Sequence, residues 1–250
     1  MTNAPRARSF DAAAAAYAAN RPSYPPALLD AVEEFAGLPL AGARVADIGA
    51  GTGLGTARLC ERGARVTAVE PGQGMAAQLR RSLPDVPVVR GDGDRLPLRT
   101  GSMDLITYAQ AWHWTDPARS VPEARRVLRP GGALALWWND SDPSVEWIGD
   151  QDRRLRAFFG AGAPAARDEA TRLIAGLPDG LGFRTRHVAW SRRVPIDVHL
   201  ANIATYSGFL VADPAAARDC LGHERALLSG LFPDGTVEEA YVVSLAVAHP

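Results

Sequence analysis

Along the first 140 residues, short apolar runs alternate with longer segments that have the composition of helices. Five short apolar runs have the length and composition of buried strands: 45–48, 65–70, 86–90, 103–108 and 133–138. Five longer segments have helical composition: 9–19, 24–35, 56–62, 74–82 and 122–128. Because strands alternate with helices, this part of the chain predicts a parallel sheet with helices on both faces.

The pattern becomes less regular beyond residue 140. Four further segments are predicted to be helical: 148–159, 165–177, 197–209 and 215–231. Two more are predicted strands: 183–190 and 241–248. We expect the extra helices to form a cap over the carboxyl ends of the strands, where open α/β sheets bind their ligands.

A glycine turn follows the first predicted strand, with glycine at alternate positions: Gly49, Gly51, Gly53 and Gly55. Strand, glycine turn and helix together open a nucleotide-binding βαβ unit. The dinucleotide pattern G-x-G-x-x-G fails from either of the first two glycines, which argues against a nicotinamide cofactor. Glu70 lies 21 positions beyond Gly49, a spacing that suits a carboxylate accepting from both ribose hydroxyls of a nucleoside. Asp47, just before the turn, is placed to accept from loop amides or from the ammonium of a ligand.

Composition and charge narrow the classes of partner. The net charge is −1 and the isoelectric point about 6.5, so we expect no nucleic-acid partner. No apolar run approaches the ~20 residues of a membrane span, and we expect a protein with no membrane contact. Two cysteines far apart in the sequence, Cys60 and Cys220, make a reduced cytoplasmic compartment the default expectation.

Four motifs in order carry a resemblance to a known family. The stretches 47–53 (DIGAGTG), Glu70, 91–97 (GDGDRLP) and 128–132 (LRPGG) resemble class I S-adenosylmethionine-dependent methyltransferases over roughly residues 40–140. Two further segments, 10–25 and 110–114, resemble the small-molecule branch that includes trans-aconitate-type methyltransferases. The resemblance implies an α/β fold with a Rossmann-like seven-stranded, mostly parallel sheet whose last strand is antiparallel. It implies S-adenosyl-L-methionine as cofactor and S-adenosyl-L-homocysteine as product.

We expect one methyltransferase domain spanning 1–250, with the parts in the order of the motifs. The expected parts are N-terminal lid helices 1–36, a cofactor-binding core 40–140, cap insertions 141–181 and 195–236, and final strands 182–194 and 237–250. A monomer or a homodimer is compatible with this layout.

The resemblance also implies roles for residues of the first βαβ unit. Gly49, Gly51 and Gly53 would line the methionine and ribose of the cofactor, with Asp47 near its amino group. Glu70 would accept from the ribose hydroxyls, and a charge-assisted hydrogen bond of this kind is worth ~1.5–3 kcal/mol. The alternative for Glu70 is a strand end in solvent.

Six further residues are implied to contact the cofactor: Tyr17, Arg21, Pro71, Asp92, Gly93 and Gln110. Asp92 would accept from the adenine amino group, with the Gly93 amide at the ring edge, although loop capping is a rival role for this carboxylate. Gln110 would lie by the methionyl part. Tyr17 and Arg21 would close over the cofactor, with Arg21 near its carboxylate.

The acceptor pocket is expected to involve Tyr17, Trp112, His113, Trp138 and the segment 203–207, which contains Tyr206. His113 is either a general base or a polar anchor, since a carboxylate acceptor needs no base. We expect no metal and favour methylation of a carboxylate or hydroxyl oxygen of a small organic acceptor. The alternatives are a nicotinamide-dependent oxidoreductase on a similar sheet and an S-adenosylmethionine-binding protein that does not methylate.

Overall fold

The computed structural model describes residues 14–160, 174–178 and 180–250 of the chain. The start of the predicted helix 9–19, including Phe10, lies outside these residues, as does most of the predicted helix 165–177.

The described residues form a seven-stranded sheet. Its strands are β1 (Arg44–Ile48), β2 (Arg65–Val69), β3 (Val88–Val89), β4 (Met103–Ala109), β5 (Leu128–Ser141), β6 (Arg184–Pro195) and β7 (Thr236–Ala248). Their order across the sheet is β3-β2-β1-β4-β5-β7-β6, and β7 is antiparallel to both of its neighbours, while the other pairs are parallel. The predicted fold class is confirmed.

Nine α-helices belong to the described parts of the chain: α1 (Ala14–Asn20), α2 (Pro26–Ala36), α3 (Leu54–Glu61), α4 (Gln73–Ser82), α5 (Pro117–Val127), α6 (Glu146–Phe159), α7 (Ile196–Ala204), α8 (Ser207–Val211) and α9 (Pro214–Leu231). Helix α5 begins five residues before the predicted start at Pro122. The Asp116 side chain caps it by accepting from the Ala118 amide at 3.0 Å, and Pro122 lies within the helix. None of the helices in these described segments has the length and hydropathy to cross a membrane.

Strand β5 also begins earlier than the apolar run predicts. Leu128 pairs with Met103, and Ala133 pairs with Leu105, so residues 129–132 bulge out of the ladder between these two pairs. The motif 128–132 is therefore part of an irregular strand, with Gly131 at φ +76°.

Helices cover both faces of the sheet because alternate strand residues point to opposite sides. On one face, α2 and α3 pack on a buried cluster that includes Val45, Leu105 and Trp137, and α4 packs beside it against Ala68. On the other face, α5 packs on a cluster that includes Ile106. This arrangement is the three-layer α/β/α architecture.

The remaining helices gather at the carboxyl edge of the sheet. Helix α6 follows β5, while α7, α8 and α9 join the end of β6 to the start of β7, where Pro195 pairs with Thr236. We call α6–α9 the cap; they share a separate apolar cluster that includes Leu200 and Leu228. Helix α1 packs against α7 of the cap and against α4 of the core.

At the opposite edge, one carboxylate joins three strands. Asp104 on β4 accepts from the Arg44 amide at 2.7 Å, from the Arg44 guanidinium at 2.9 Å, and from Arg129 in the bulge of β5. The Arg44 hydrogen bonds hold the pKa of Asp104 well below its usual range, despite partial burial, which acts in the opposite direction.

We predict that Asp104→Asn lowers the free energy of unfolding at pH 7 by about 1 kcal/mol. Because the folded pKa is depressed, the stabilisation is present above the unfolded value of 3.8 and is lost as pH falls through the folded pKa. Urea unfolding at several pH values should therefore show the gap to wild type closing below pH ~4. The control is Asp234→Asn, an exposed partner of Arg193. A gap that persists unchanged at low pH would contradict this assignment.

Candidate active site

The glycine turn lies at the topological switch point of the sheet. Strand β1 is flanked by β2 on one side and β4 on the other, so the chain leaves β1 where the direction of strand addition reverses. Open α/β sheets bind ligands in the crevice at this place. The turn residues Gly49, Gly51 and Gly53 have φ of +65°, +59° and +92°, values that side chains rarely permit.

Gly49 is confined by close packing as well as by its backbone conformation. A Cβ there would lie 2.5 Å from the Ala111 Cβ, so the turn after β1 rests directly on the segment after β4. Gln110, beside Ala111, is the non-glycine residue with positive φ (+60°) in the described part of the chain. Its amide donates to the Trp137 carbonyl at 2.9 Å and its side-chain Nε2 to the Asn139 carbonyl at 3.0 Å. Strained backbone held by surrounding bonds is characteristic of functional sites.

Glu70 joins the turns that follow β1 and β2. Its Oε2 accepts from the Gly51 amide at 2.8 Å and its Oε1 from the Gly72 amide at 2.6 Å, and the residue is 6% exposed. The carboxylate is thus buried at the turn, and the alternative of a strand end in solvent is wrong. Pro71, by contrast, is exposed, and its carbonyl accepts from Arg90.

Asp47 lies beneath the turn and is completely buried. Its Oδ2 accepts from the Thr56 hydroxyl at 2.6 Å and its Oδ1 from the Thr107 hydroxyl at 2.9 Å. Burial raises the pKa of Asp47 to about 6, although these two hydrogen bonds act in the opposite direction. The Gly51 amide is bound by Glu70 and the partners of Asp47 are hydroxyls, which corrects the expectation that Asp47 accepts from loop amides.

Asp92 caps its own loop. Its Oδ1 accepts from the amides of Asp94 and Arg95, both at 3.0 Å, while the residue remains exposed. Gly93 beside it is buried, and its carbonyl accepts from the Tyr108 hydroxyl at 3.3 Å. Capping, the rival role for Asp92, is therefore observed, and a role toward adenine stays a prediction.

The structure brings the N-terminal segment and the cap together around Arg21. The guanidinium lies 4.9 Å from the Tyr17 ring centroid and 4.7 Å from that of Tyr206. Its Nε donates to the Thr205 hydroxyl at 2.9 Å. Residues predicted from two separate parts of the sequence thus form one stacked group, in which the charge lies between two aromatic faces.

His113 lies in a 3₁₀ turn, Trp112–Trp114, that follows β4. The Trp138 indole Nε1 donates to the His113 Nδ1 at 3.4 Å, and Trp112 packs edge-on against Tyr108 with ring centroids 5.0 Å apart. Burial lowers the pKa of His113 to about 4, so the imidazole is neutral at physiological pH. The pair His113 and Trp138 was predicted; the hydrogen bond between them was not.

Sequence reasoning missed several polar residues that support this region. Thr107 is a polar residue inside the apolar run of β4, and that interruption was a signal for a buried partner such as Asp47. Tyr24, which was assigned to a helix start and to the segment 10–25 but to no contact, is buried edge-on against Trp137 with centroids 5.8 Å apart. Asn139 acts through a long-range bond that no local pattern indicates, and the bond from Arg21 to Thr205, in the predicted segment 203–207, was likewise not predicted.

We predict that Gly49→Ala lowers the free energy of unfolding by about 2–4 kcal/mol, since it combines left-handed backbone strain with overpacking against Ala111. The matched control is Gly37→Ala, which has φ +62° and no atom within 4 Å of the added Cβ. This control should cost only about 1 kcal/mol. Urea denaturation measures both, and equal losses would show that packing against Ala111 is unimportant.

Comparisons with known proteins agree with this geometry. A sequence model described as a methyltransferase domain matches residues 46–136. An uncharacterised methyltransferase of Mycobacterium tuberculosis is 40% identical over 211 residues, which cover 84% of this chain and 81% of that protein. A proposed type II methyltransferase from Anaeromyxobacter dehalogenans is similar in structure, with a TM-score of 0.66, 27% identity, and 91% and 95% of the two chains covered.

A further solved structure shares the fold at lower identity. It is an S-adenosylmethionine-dependent methyltransferase from Thiobacillus denitrificans in complex with S-adenosyl-L-homocysteine, with a TM-score of 0.51, 18% identity, and 94% and 96% of the two chains covered. The relative of 40% identity shows the family, and this last structure shows the fold. The chain belongs to the class I S-adenosylmethionine-dependent methyltransferases.

Proposed function

We propose that this protein transfers a methyl group from S-adenosyl-L-methionine to a carboxylate or hydroxyl oxygen of a small organic acceptor. The observation that carries the proposal is the junction of the two turns, where Glu70 accepts from the Gly51 and Gly72 amides at the carboxyl edge of the sheet. This carboxylate is buried and oriented by the backbone, at the spacing from Gly49 that suits a ribose.

The residues at the turn fit such a cofactor. Gly51 has no side chain, and the nearest atom to an added Cβ would be the Gly49 carbonyl oxygen at 4.0 Å, so that a ligand can approach the backbone closely there. The Thr52 hydroxyl within the same turn is buried and has no hydrogen-bond partner among the described residues, which leaves it available to a polar ligand. Gly49, Gly51 and Gly53 would hold the methionine and ribose, with Glu70 on the ribose hydroxyls.

Asp92, Gly93 and Gln110 are proposed for the remaining parts of the cofactor, as the resemblance implies. The exposed Asp92 would act toward the adenine amino group while it keeps its loop in shape through Oδ1. Tyr17 and Arg21 would cover the cofactor from α1, which packs between the cap and α4.

When bound, S-adenosyl-L-methionine supplies a methyl group already activated by its sulfonium, for in-line displacement by the acceptor oxygen. The chain therefore has to orient the acceptor and exclude water, and it does not have to activate the methyl group. We assign orientation to His113, supported by Trp112 and Trp138, with Tyr206 contributed by the cap. These aromatic walls are largely buried, which suits a site that keeps water out.

The bonding of His113 favours an anchor over a base. Its Nδ1 accepts from the Trp138 indole, which can only donate, so the neutral ring carries its proton on Nε2. An Nε2–H donates to an acceptor oxygen and cannot remove its proton. A pKa of about 4 would also make the imidazole a weak base at neutral pH.

The cofactor assignment predicts binding of S-adenosyl-L-methionine by titration calorimetry. Glu70→Gln should weaken binding by about 10–100-fold, because it removes the charge proposed for the ribose hydroxyls. Glu61→Gln, an exposed position on α3, is the control for the same chemical change. Urea unfolding of each variant separates lost binding from lost folding. Binding of NADH in place of S-adenosyl-L-methionine, or of neither, would contradict the proposal.

The anchor assignment predicts an imidazole that stays neutral, with its proton on Nε2. In ¹⁵N nuclear magnetic resonance spectra, His113 should not titrate between pH ~5.5 and 8, because burial keeps its pKa near 4. With a panel of small carboxylic acids and phenols, His113→Gln should retain more turnover than His113→Leu, since only glutamine keeps an N–H donor. An inflection near pH 6.5 that disappears in both variants would instead identify a base.

A further inference from the structure

A chain of charged and polar side chains runs from strands β6 and β7 into the interior of the cap, outside the site described above. We call it the cap relay, and its members in order are Arg192, Glu239, His199, Gln151, Glu224 and Arg154. The four central members are 1–6% exposed. Buried charges of this kind persist only when each is paired and hydrogen-bonded.

The hydrogen bonds fix which atoms donate along the relay. The Gln151 Nε2 donates to Glu224 at 3.0 Å, so its Oε1 accepts from the His199 Nε2 at 2.8 Å. The His199 Nδ1 faces the Glu239 Oε1 at 2.6 Å. Both ring nitrogens therefore face acceptors. Burial alone would raise the pKa of Glu239, but the bonds from His199 and Arg192 outweigh it and hold the pKa below its usual range.

Arg192 lies on β6 at one end of the relay, and its side chain also contacts helix α1. Its Nε is paired with the Glu239 Oε2, and its Nη2 donates to the Asn20 carbonyl at 2.9 Å. Asn20 is the last residue of α1, where a cation is favourable to the helix dipole. The next residue, Arg21, is bonded to Thr205 of the α7–α8 connection. Two arginines thus attach the carboxyl end of α1 to the cap region.

Within the described residues, helix α1 packs against α7 and α4, and its last residue is the one that Arg192 contacts. Glu239 is hydrogen-bonded to His199 as well as to Arg192, so Arg192 is one of two partners that orient this carboxylate. The bond from Arg192 to the Asn20 carbonyl is a further contact, and it links the relay to helix α1.

We propose that Arg192, oriented by Glu239 and His199, is a positioning residue that holds α1 closed over the cofactor site. Through α1 it sets the place of Tyr17 and Arg21. That these two residues cover the cofactor rests on the proposed function. The attachment of α1 does not, and it can be tested in the protein without ligand.

The experiment compares Arg192→Gln, Arg192→Lys and a control, Arg193→Gln. Arg193 is the next residue on β6, and it is exposed and paired with Asp234. Amide hydrogen exchange of residues 14–20, titration calorimetry with S-adenosyl-L-homocysteine and urea unfolding are measured for each. Lysine can pair with Glu239 but has no second nitrogen to bridge to Asn20.

We expect exchange in 14–20 to be about tenfold faster in both Arg192 variants, and S-adenosyl-L-homocysteine to bind about tenfold more weakly, equivalent to about 1.4 kcal/mol each. Arg192→Lys should unfold close to the wild-type urea midpoint, whereas Arg192→Gln should be less stable. Arg193→Gln should match wild type in all three. If Arg192→Gln does not fold, the exchange rates and the affinity of Arg192→Lys are sufficient to test the proposal.

Unchanged exchange in 14–20, or lysine restoring both exchange and affinity, would overturn the proposal, since charge alone would then explain Arg192. Failure of the wild-type protein to bind S-adenosyl-L-homocysteine would refute the proposed function instead. Exchange in the ligand-free variants would still decide the role of Arg192.

Discussion

One buried carboxylate holds together the two loops on which the candidate site is built. Strands β1 and β2 are parallel neighbours, with Ile48 opposite Val69, so the turns that follow them emerge side by side. Glu70 sits between these turns and accepts one amide from each. A carboxylate removed from water has to be hydrogen-bonded, and here the backbone of the glycine turns supplies the donors. The shape of the turn and the place of the charge therefore depend on each other.

The glycine turn also contacts the segment that follows β4, in the other half of the sheet. Gly49 packs on Ala111 without room for a methyl group, and the neighbouring Gln110 is held in a left-handed conformation by bonds to β5. Asp47 adds a connection from β1 to Thr107 of β4 and to Thr56 of α3. Such interlocking explains how several loops can present a rigid surface, since each is fixed by contacts to the next strand.

Local patterns predicted the sheet and the cofactor motifs because those features are encoded over a few residues. Apolar runs located the strands, and the glycines with Glu70 indicated the candidate site, which stays a prediction. Prediction failed where one signal had two meanings: Pro122 was taken for a helix start, although Asp116 is the cap that begins α5. It also failed for contacts between distant segments, such as Arg21 with Thr205, 184 positions apart. Nothing in the local sequence of either residue specifies such a partner, because the partner is brought there by the fold.

The hydrogen-bond partners of His113 and His199 also come from distant segments of the chain, and they determine what each ring can do chemically. His113 faces the indole of Trp138, a pure donor, so its ring is neutral and its Nε2 carries a proton. His199 faces a carboxylate and an amide oxygen, so both of its ring nitrogens lie against acceptors. If His113 only donates, the acceptor has to be a nucleophile without help from this ring. A carboxylic acid is already ionised at neutral pH, whereas an alcohol is not. Within the proposed oxygen acceptors, the bond from Trp138 therefore favours a carboxylate.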